Sequence, residues 1–180
     1  MRHFSKVAGS RVYLSPVNPE DFETFAKWMS DPNVTQFYSS PSAVFSQPSA
    51  KKFLEERAAG GCNFSIVRAK DDMLIGYVDL HDIQDISRSA YLGIFIGETA
   101  IWSQGYGGEA VRLICGFGFN SLNLHNLALT VHSDNENAIS CFKKAGFREF
   151  GRRRESVFKN GKYYDTIFME ILENEFRTLK

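Results

Sequence analysis

Hydrophobic and polar positions change their period several times along the chain. In "RVYLSPV", residues 11–17, Val12 and Leu14 alternate with polar neighbours, the period of a half-buried strand. "NPEDFETFAKWMSDP" follows. Asn18 suits a helix N-cap, Pro19 suits the first helical position, and acids fill the first turn; Asp31 and Pro32 stop the helix. "SAKKFLEERAA" predicts a second helix that starts near Pro48 and ends at Gly60 and Gly61. "NFSIVRA" and "MLIGYVDL" flank the turn "KDD" as a hairpin, and "AYLGIFIG" predicts a fourth, apolar strand. A long helix is expected over roughly residues 107–121. The unbroken apolar run "NLALTV" suits a central strand. "SDNENAISCFKKAGF" predicts a helix with a capping box, Ser133 with Glu136, and Gly146 as its stop. "FREFGRRRESVF" and "YYDTIFMEIL" close the chain as a hairpin around "KNGK". The order is strand, two helices, three strands, helix, strand, helix, two strands: a mixed α/β sheet domain. No linker or repeat divides it, so one domain over residues 1–180 is expected; residues 39–50, "SSPSAVFSQPSA", are the most loop-like stretch.

Composition narrows the function. The 180 residues carry 21 Lys and Arg against 21 Asp and Glu, so no global charge draws the chain to nucleic acid or an anionic membrane. Cys62, Cys115 and Cys141 are widely spaced and form no CxxC pair, which argues against a zinc site and for reduced thiols. The first residues hold no apolar core of signal-peptide length, and no segment approaches the ~20 apolar residues of a membrane span. The expectation is a cytoplasmic protein.

One stretch carries candidate chemistry. "IWSQGYGGEAVRLICGFGF", residues 101–119, places Gly105, Gly107 and Gly108 at the start of the long helix. Amides at a helix start lack internal partners, and the peptide dipoles place partial positive charge there. Glycines let a phosphate approach that backbone. The alternative is a tight strand-to-helix crossing with no ligand. A dinucleotide-binding turn is the rival reading, and it fails on detail: Ala110 rather than glycine ends G-x-G-x-x-G counted from Gly105, and the turn lies after the middle of the chain with hairpins before it.

Taken with "LNLHNLALTVHSDNENAISCFKKAGF", residues 122–147, the stretch "GIFIGETAIWSQGYGGEA" resembles the GNAT superfamily of acyl-CoA-dependent N-acetyltransferases, and within it the RimJ/RimL-like branch. The resemblance runs over about residues 12–172, and "REFGRRRESVFKNGKYYDTIFMEIL" is similar to that branch's closing hairpin. It implies the GNAT fold: a mixed, mostly antiparallel central sheet of about seven strands flanked by about four helices. It also implies acetyl-CoA as cosubstrate and no metal.

The family's Q/R-x-x-G-x-G/A motif, which binds the coenzyme A pyrophosphate, falls on Trp102, Ser103, Gln104, Gly105, Tyr106 and Gly107. Trp102 departs from the general Gln or Arg, and Gln104 stands where a lysine is common. The amides of Gly105, Gly107 and Gly108 remain. The resemblance makes Ile94, Phe95 and Ile96 the strand that pairs with the pantetheine arm, by addition to an open sheet edge. Asn135 matches an asparagine that hydrogen-bonds the cofactor; it is equally suited to the first turn of the next helix. Ala138, Phe142 and Lys144 would lie on the cofactor side. Many relatives place a tyrosine where Phe142 stands, and its hydroxyl protonates the departing thiolate; phenylalanine has no such proton.

The implied reaction is direct attack of a neutral amine on the thioester in a ternary complex, with strand N–H donors on the oxyanion. An alkylammonium has a pKa of about 10, so a base is needed near pH 7. Asp79 and Asp82 in "VDLHDI", Glu98 and His132 are the candidates, with Asp79 first; each is alternatively a strand-end or loop residue. "GRRRE", residues 151–155, reads as a solvated strand face or as a contact to the cofactor's 3′-phosphate, and Tyr163 and Tyr164 as core packing or acceptor contacts. The acceptor is a small-molecule amine, such as a polyamine or an amino sugar, or a protein N-terminus; Phe142 also leaves open a non-catalytic acyl-CoA-binding module. The assembly is a monomer or homodimer.

Overall fold

Eight strands form one sheet in a computed structural model that describes residues 3–38 and 44–179. Their order is β1-β2-β3-β4-β5-β6-β8-β7. They are β1 (Val7–Ala8), β2 (Val12–Pro16), β3 (Cys62–Arg68), β4 (Met73–Gln84), β5 (Ser89–Ile96), β6 (Asn126–His132), β7 (Arg148–Lys159) and β8 (Lys162–Leu172). The helices are α1 (Phe22–Met29), α2 (Pro32–Thr35), α3 (Gln47–Ala58), α4 (Tyr106–Ser121), α5 (Glu136–Lys144) and α6 (Glu173–Thr178). The mixed, mostly antiparallel sheet expected from the sequence is present. The eighth strand is the two-residue β1, which pairs Val7 with Leu14 and Ala8 with Tyr13. The helices beyond the expected four are α2 and α6, each too short to show a period.

Local chemistry explains most boundaries. Asn18 accepts from Glu20 N as expected, but the turn it caps is a 3-10 turn, Pro19–Asp21, and α1 begins only at Phe22. Ser46 and Ser49 form a reciprocal capping box that starts α3 at Gln47, so residues 47–50 are helical; residues 39–43 of the expected loop lie outside the described residues. The expected capping box of Ser133 with Glu136 is absent. Asn135 caps α5 through Ala138 N, and Ser133 Oγ instead accepts from Asp165 N at 3.1 Å. Gly146 ends the helix at φ 99°, a left-handed conformation that glycine adopts without Cβ strain. The "NG" turn between β7 and β8 has Asn160 and Gly161 both at positive φ, as a two-residue hairpin requires.

Contacts group the chain into two units, Met1–Asp79 with Ile94–Ile114, and Leu80–Gly93 with Cys115–Lys180. In the first, Phe25, Trp28, Leu54 and Tyr77 bury one apolar cluster, with Phe53 and Phe95 packed against it. Phe25 stacks on Phe53 at 5.0 Å and Tyr77 on Phe95 at 6.0 Å. In the second, β6 and β8 bury opposed pairs, Leu127 with Ile171, Leu129 with Met169 and Val131 with Ile167. This is the period-2 pattern that "NLALTV" and "TIFMEIL" carry. Among the described residues no helix is long and apolar enough to cross a membrane, and no group of three or more His, Cys, Asp or Glu could hold a metal ion.

Candidate functional site

In the first unit, β5 ends at Ile96 and the chain turns through a 3-10 turn, Thr99–Ile101, into α4. Ile94, Phe95 and Ile96 are half-buried. The parallel register with β6 ends at Tyr91, opposite Ala128, three residues before Ile94. The Trp102 indole donates to the Ile96 carbonyl at 2.8 Å. Gln104 is exposed, and its Nε2 donates to Ala100 O at 3.2 Å. Gly105 has φ 88°, and Glu109 N donates to Gly105 O at 3.2 Å, closing the first helical turn. Helical geometry therefore leaves the amides of Tyr106, Gly107 and Gly108 without an intrahelical acceptor, beside the positive end of a 16-residue helix. A Cβ at Gly107 would lie 3.6 Å from Ile96 Cγ1, an ordinary contact, so this glycine borders the end of β5. These residues fit a coenzyme A diphosphate.

Glu109, in the first turn of α4, is buried. It accepts from Ser10 N at 2.7 Å, Ser10 Oγ at 3.1 Å and Arg11 N at 2.9 Å. Burial alone would raise its pKa, but these donors outweigh burial and hold the carboxyl below its usual value. Arg11 Nη1 reaches back to Gln104 O at 2.9 Å.

Asp79, the first-choice base, sits at the end of the buried run of β4 and is only 7% exposed. Tyr38 and Tyr77 lie within reach of its charge. Burial raises both phenol pKa values and the Asp79 charge raises them further, while Arg57 acts in the opposite sense. The Tyr77 hydroxyl donates to Asn63 Oδ1 at 2.7 Å. Asn63 Nδ2 is held in turn by the carbonyls of Gly60, at 2.7 Å, and Arg57, at 3.2 Å. Glu98 is half-buried at the start of the 3-10 turn and makes no capping bond with its side chain.

In the second unit, Asp82 is exposed, 4.0 Å from His81. His132 ends β6 half-buried, and burial and Lys159 lower its pKa against the opposing pull of Asp134. Lys159 pairs with Asp134 at 2.6 Å. Asn135 Oδ1 is used by the Ala138 amide at 3.2 Å, which leaves its Nδ2 to donate elsewhere. Ala138 is half-buried, and Lys144 lines a hollow of about 420 Å³ along α5 with Glu136, Ile139, Ser140 and Lys143. Phe142 turns inward, buried against Phe147 at 6.0 Å. Arg152 pairs with Glu149 and Asp165, each at 3.2 Å, as on a solvated strand face. Tyr163 is largely exposed against Phe158, and Tyr164 lies half-buried under the Lys159 ammonium.

Sequence reasoning did not include Arg11, Asn63, Tyr38 or Tyr77. Arg11 and Gln104 are 93 residues apart, and no local pattern marks such a contact. Tyr77 was legible in principle, because in "YVDL" it stands two positions before Asp79 and so on the same strand face.

Comparison with known proteins is consistent with this geometry. The Acetyltransferase (GNAT) domain family matches residues 11–148. The uncharacterised N-acetyltransferase YnaD of Bacillus subtilis is 24% identical over 171 residues, 94% of this chain and 98% of that protein. The spermidine N(1)-acetyltransferase of Vibrio cholerae is 32% identical over 111 residues, 62% of this chain and 64% of that protein. A crystal structure of spermidine N-acetyltransferase from Vibrio cholerae in complex with CoA and spermine superimposes with a TM-score of 0.83 at 25% identity. It covers 94% of this chain and 100% of that one.

Proposed function

The chain belongs to the GNAT acetyltransferases, and from that premise we propose that its acceptor is a primary amine of a small organic polycation, a polyamine, received beside Asp79. The protein is an acetyl-CoA-dependent N-acetyltransferase. The observation that carries the acceptor reading is Asp79 itself, a buried acidic side chain whose charge reaches two phenols. An alkylammonium group gains Coulombic attraction there. The spermidine acetyltransferase of Vibrio cholerae supports the same class of acceptor. The RimJ/RimL-like assignment rests on the resemblance of residues 93–110 and 122–147 and of the closing hairpin to that branch.

Acetyl-CoA supplies an activated thioester. The amides of Tyr106, Gly107 and Gly108 hold its diphosphate, with Gly105 shaping the turn and Gln104 at its edge. The backbone of Ile94, Phe95 and Ile96 offers strand pairing to the pantetheine amides and N–H donors to the developing oxyanion. In the second unit, Asn135, with Nδ2 left to donate, and Ala138 and Lys144 are the residues that the resemblance assigns to the cofactor. Asp79 takes the proton of the incoming ammonium. Glu98 and His132 are the remaining candidates; His132, held neutral near pH 7 by burial and Lys159, is also able to accept a proton. Phe142 has no proton to give, so the departing thiolate takes one from water.

Release of free thiol from acetyl-CoA tests this with three acceptors: spermidine, glucosamine and a short peptide with a free N-terminus. Spermidine turnover at a kcat/KM at least about tenfold above the others is expected. Turnover with the peptide alone would reassign the acceptor to protein N-termini.

A further inference from the structure

The turn lacks a cation of its own, because Gln104 stands where, by resemblance, a lysine is common. The fold brings one from elsewhere. We propose that Arg11, one residue before β2, is the phosphate-binding cation of this turn and pairs with the diphosphate of coenzyme A. The proposal rests on the reading that the amides of Tyr106, Gly107 and Gly108 receive that diphosphate.

Both ends of Arg11 are held. Its backbone N–H donates to Glu109 Oε1 at 2.9 Å and its carbonyl accepts from Ala69 N at 2.9 Å. Its side chain lies over the Tyr106 ring, the guanidinium carbon 4.3 Å from the centroid. Nη1 donates to Gln104 O at 2.9 Å. A Cβ on Gly105 would come within 3.3 Å of that nitrogen, so the guanidinium borders the first glycine of the turn. A guanidinium has five N–H donors in a planar fork that matches phosphate oxygens. The fork serves Gln104 O and the Tyr106 phenol, and among the described residues no carboxylate pairs with the Arg11 side chain. Arg68 differs: its fork is spent on Asp71, at 2.7 and 2.9 Å. Glu109 takes the Arg11 amide, not the guanidinium, and so anchors the residue without capping its charge.

The electrostatics of the turn agree with this geometry. The Tyr106 phenol is held below its usual pKa, first by hydrogen bonding to Arg11, with Lys70 and Arg68 adding to the effect and burial opposing it. Arg11, Lys70 and Arg68 therefore all act on the first residue of α4. The contact with Tyr106 and the bond to Gln104 O hold the guanidinium beside the turn before an anion arrives, which lowers the ordering cost of binding.

Calorimetric titration with CoA, 3′-dephospho-CoA and inorganic pyrophosphate tests the assignment in Arg11→Gln, Arg11→Lys and Gly107→Glu. Arg11→Gln is expected to weaken CoA and 3′-dephospho-CoA alike by about tenfold or more, and to weaken pyrophosphate as a competitor. Arg11→Lys should recover part of the loss, and the salt dependence of CoA binding should be shallower in Arg11→Gln than in the unaltered protein. Unchanged CoA affinity in Arg11→Gln, with Gly107→Glu unable to bind, would overturn the role of Arg11 and leave the diphosphate site standing. A loss confined to CoA and absent with 3′-dephospho-CoA would also overturn it. Unchanged CoA affinity in Gly107→Glu would instead remove the diphosphate reading, and this inference with it.

Discussion

The Trp102 indole N–H and the Ile96 carbonyl meet at 2.8 Å, so the end of β5 is tied to the turn that opens α4. The strand expected to pair with the pantetheine arm and the turn expected to hold the diphosphate are therefore joined by one side-chain bond. A neutral hydrogen bond of this kind contributes roughly 1 kcal/mol. Trp102→Phe keeps an aromatic ring and deletes the donor. The expected outcome is about a fivefold rise in the KM for acetyl-CoA with kcat nearly unchanged, read by steady-state kinetics.

Asp79→Asn keeps the shape of the buried group and removes its charge. If Asp79 accepts the ammonium proton, kcat falls by about a hundredfold or more. Binding of acetyl-CoA should be untouched. A pH–rate profile that is the same in the variant and the unaltered protein would remove Asp79 as the base.

Glu109 makes a pH-dependent contribution to stability. Its folded pKa lies below the model-compound value of 4.5, because backbone and hydroxyl donors outweigh its burial. A depressed carboxyl stabilises the fold fully above that value and loses its contribution as pH falls through the folded pKa. Glu109→Gln should therefore cost roughly 1.5–3 kcal/mol at pH 7. The difference should narrow as pH drops below 4.5, as read by urea unfolding at pH 7 and pH 3. An equal cost at both pH values would show that the charge of Glu109 does not matter.

Elements with a strong local period were legible in the sequence. The helices from Phe22, Gln47, Tyr106 and Glu136 and the long strands all declare themselves through periodicity, caps or glycine stops. Elements that exist only through tertiary pairing were not. The strand of Val7 and Ala8 has no period to read and forms because β2 offers it an edge. Ser133 looked like a helix cap, but its hydroxyl is drawn away by the Asp165 amide 32 residues later, and Asn135 takes over. The glycine turn was visible because glycines are unusual at a helix start. Arg11 was not, because one arginine before a strand is ordinary until the fold lays it on Tyr106. Phe142 was singled out for a missing hydroxyl; the structure shows its ring packed on Phe147, a role for which phenylalanine suffices.

The central claim is that main-chain amides at the start of α4, uncovered by glycine, hold the diphosphate of acetyl-CoA. Titration calorimetry of CoA into the unaltered protein and into Gly107→Glu measures it directly. The account predicts saturable binding to the first and none to the second, with the variant still folded by circular dichroism. Equal affinity in the two proteins, or no heat of binding in the unaltered one, would contradict it.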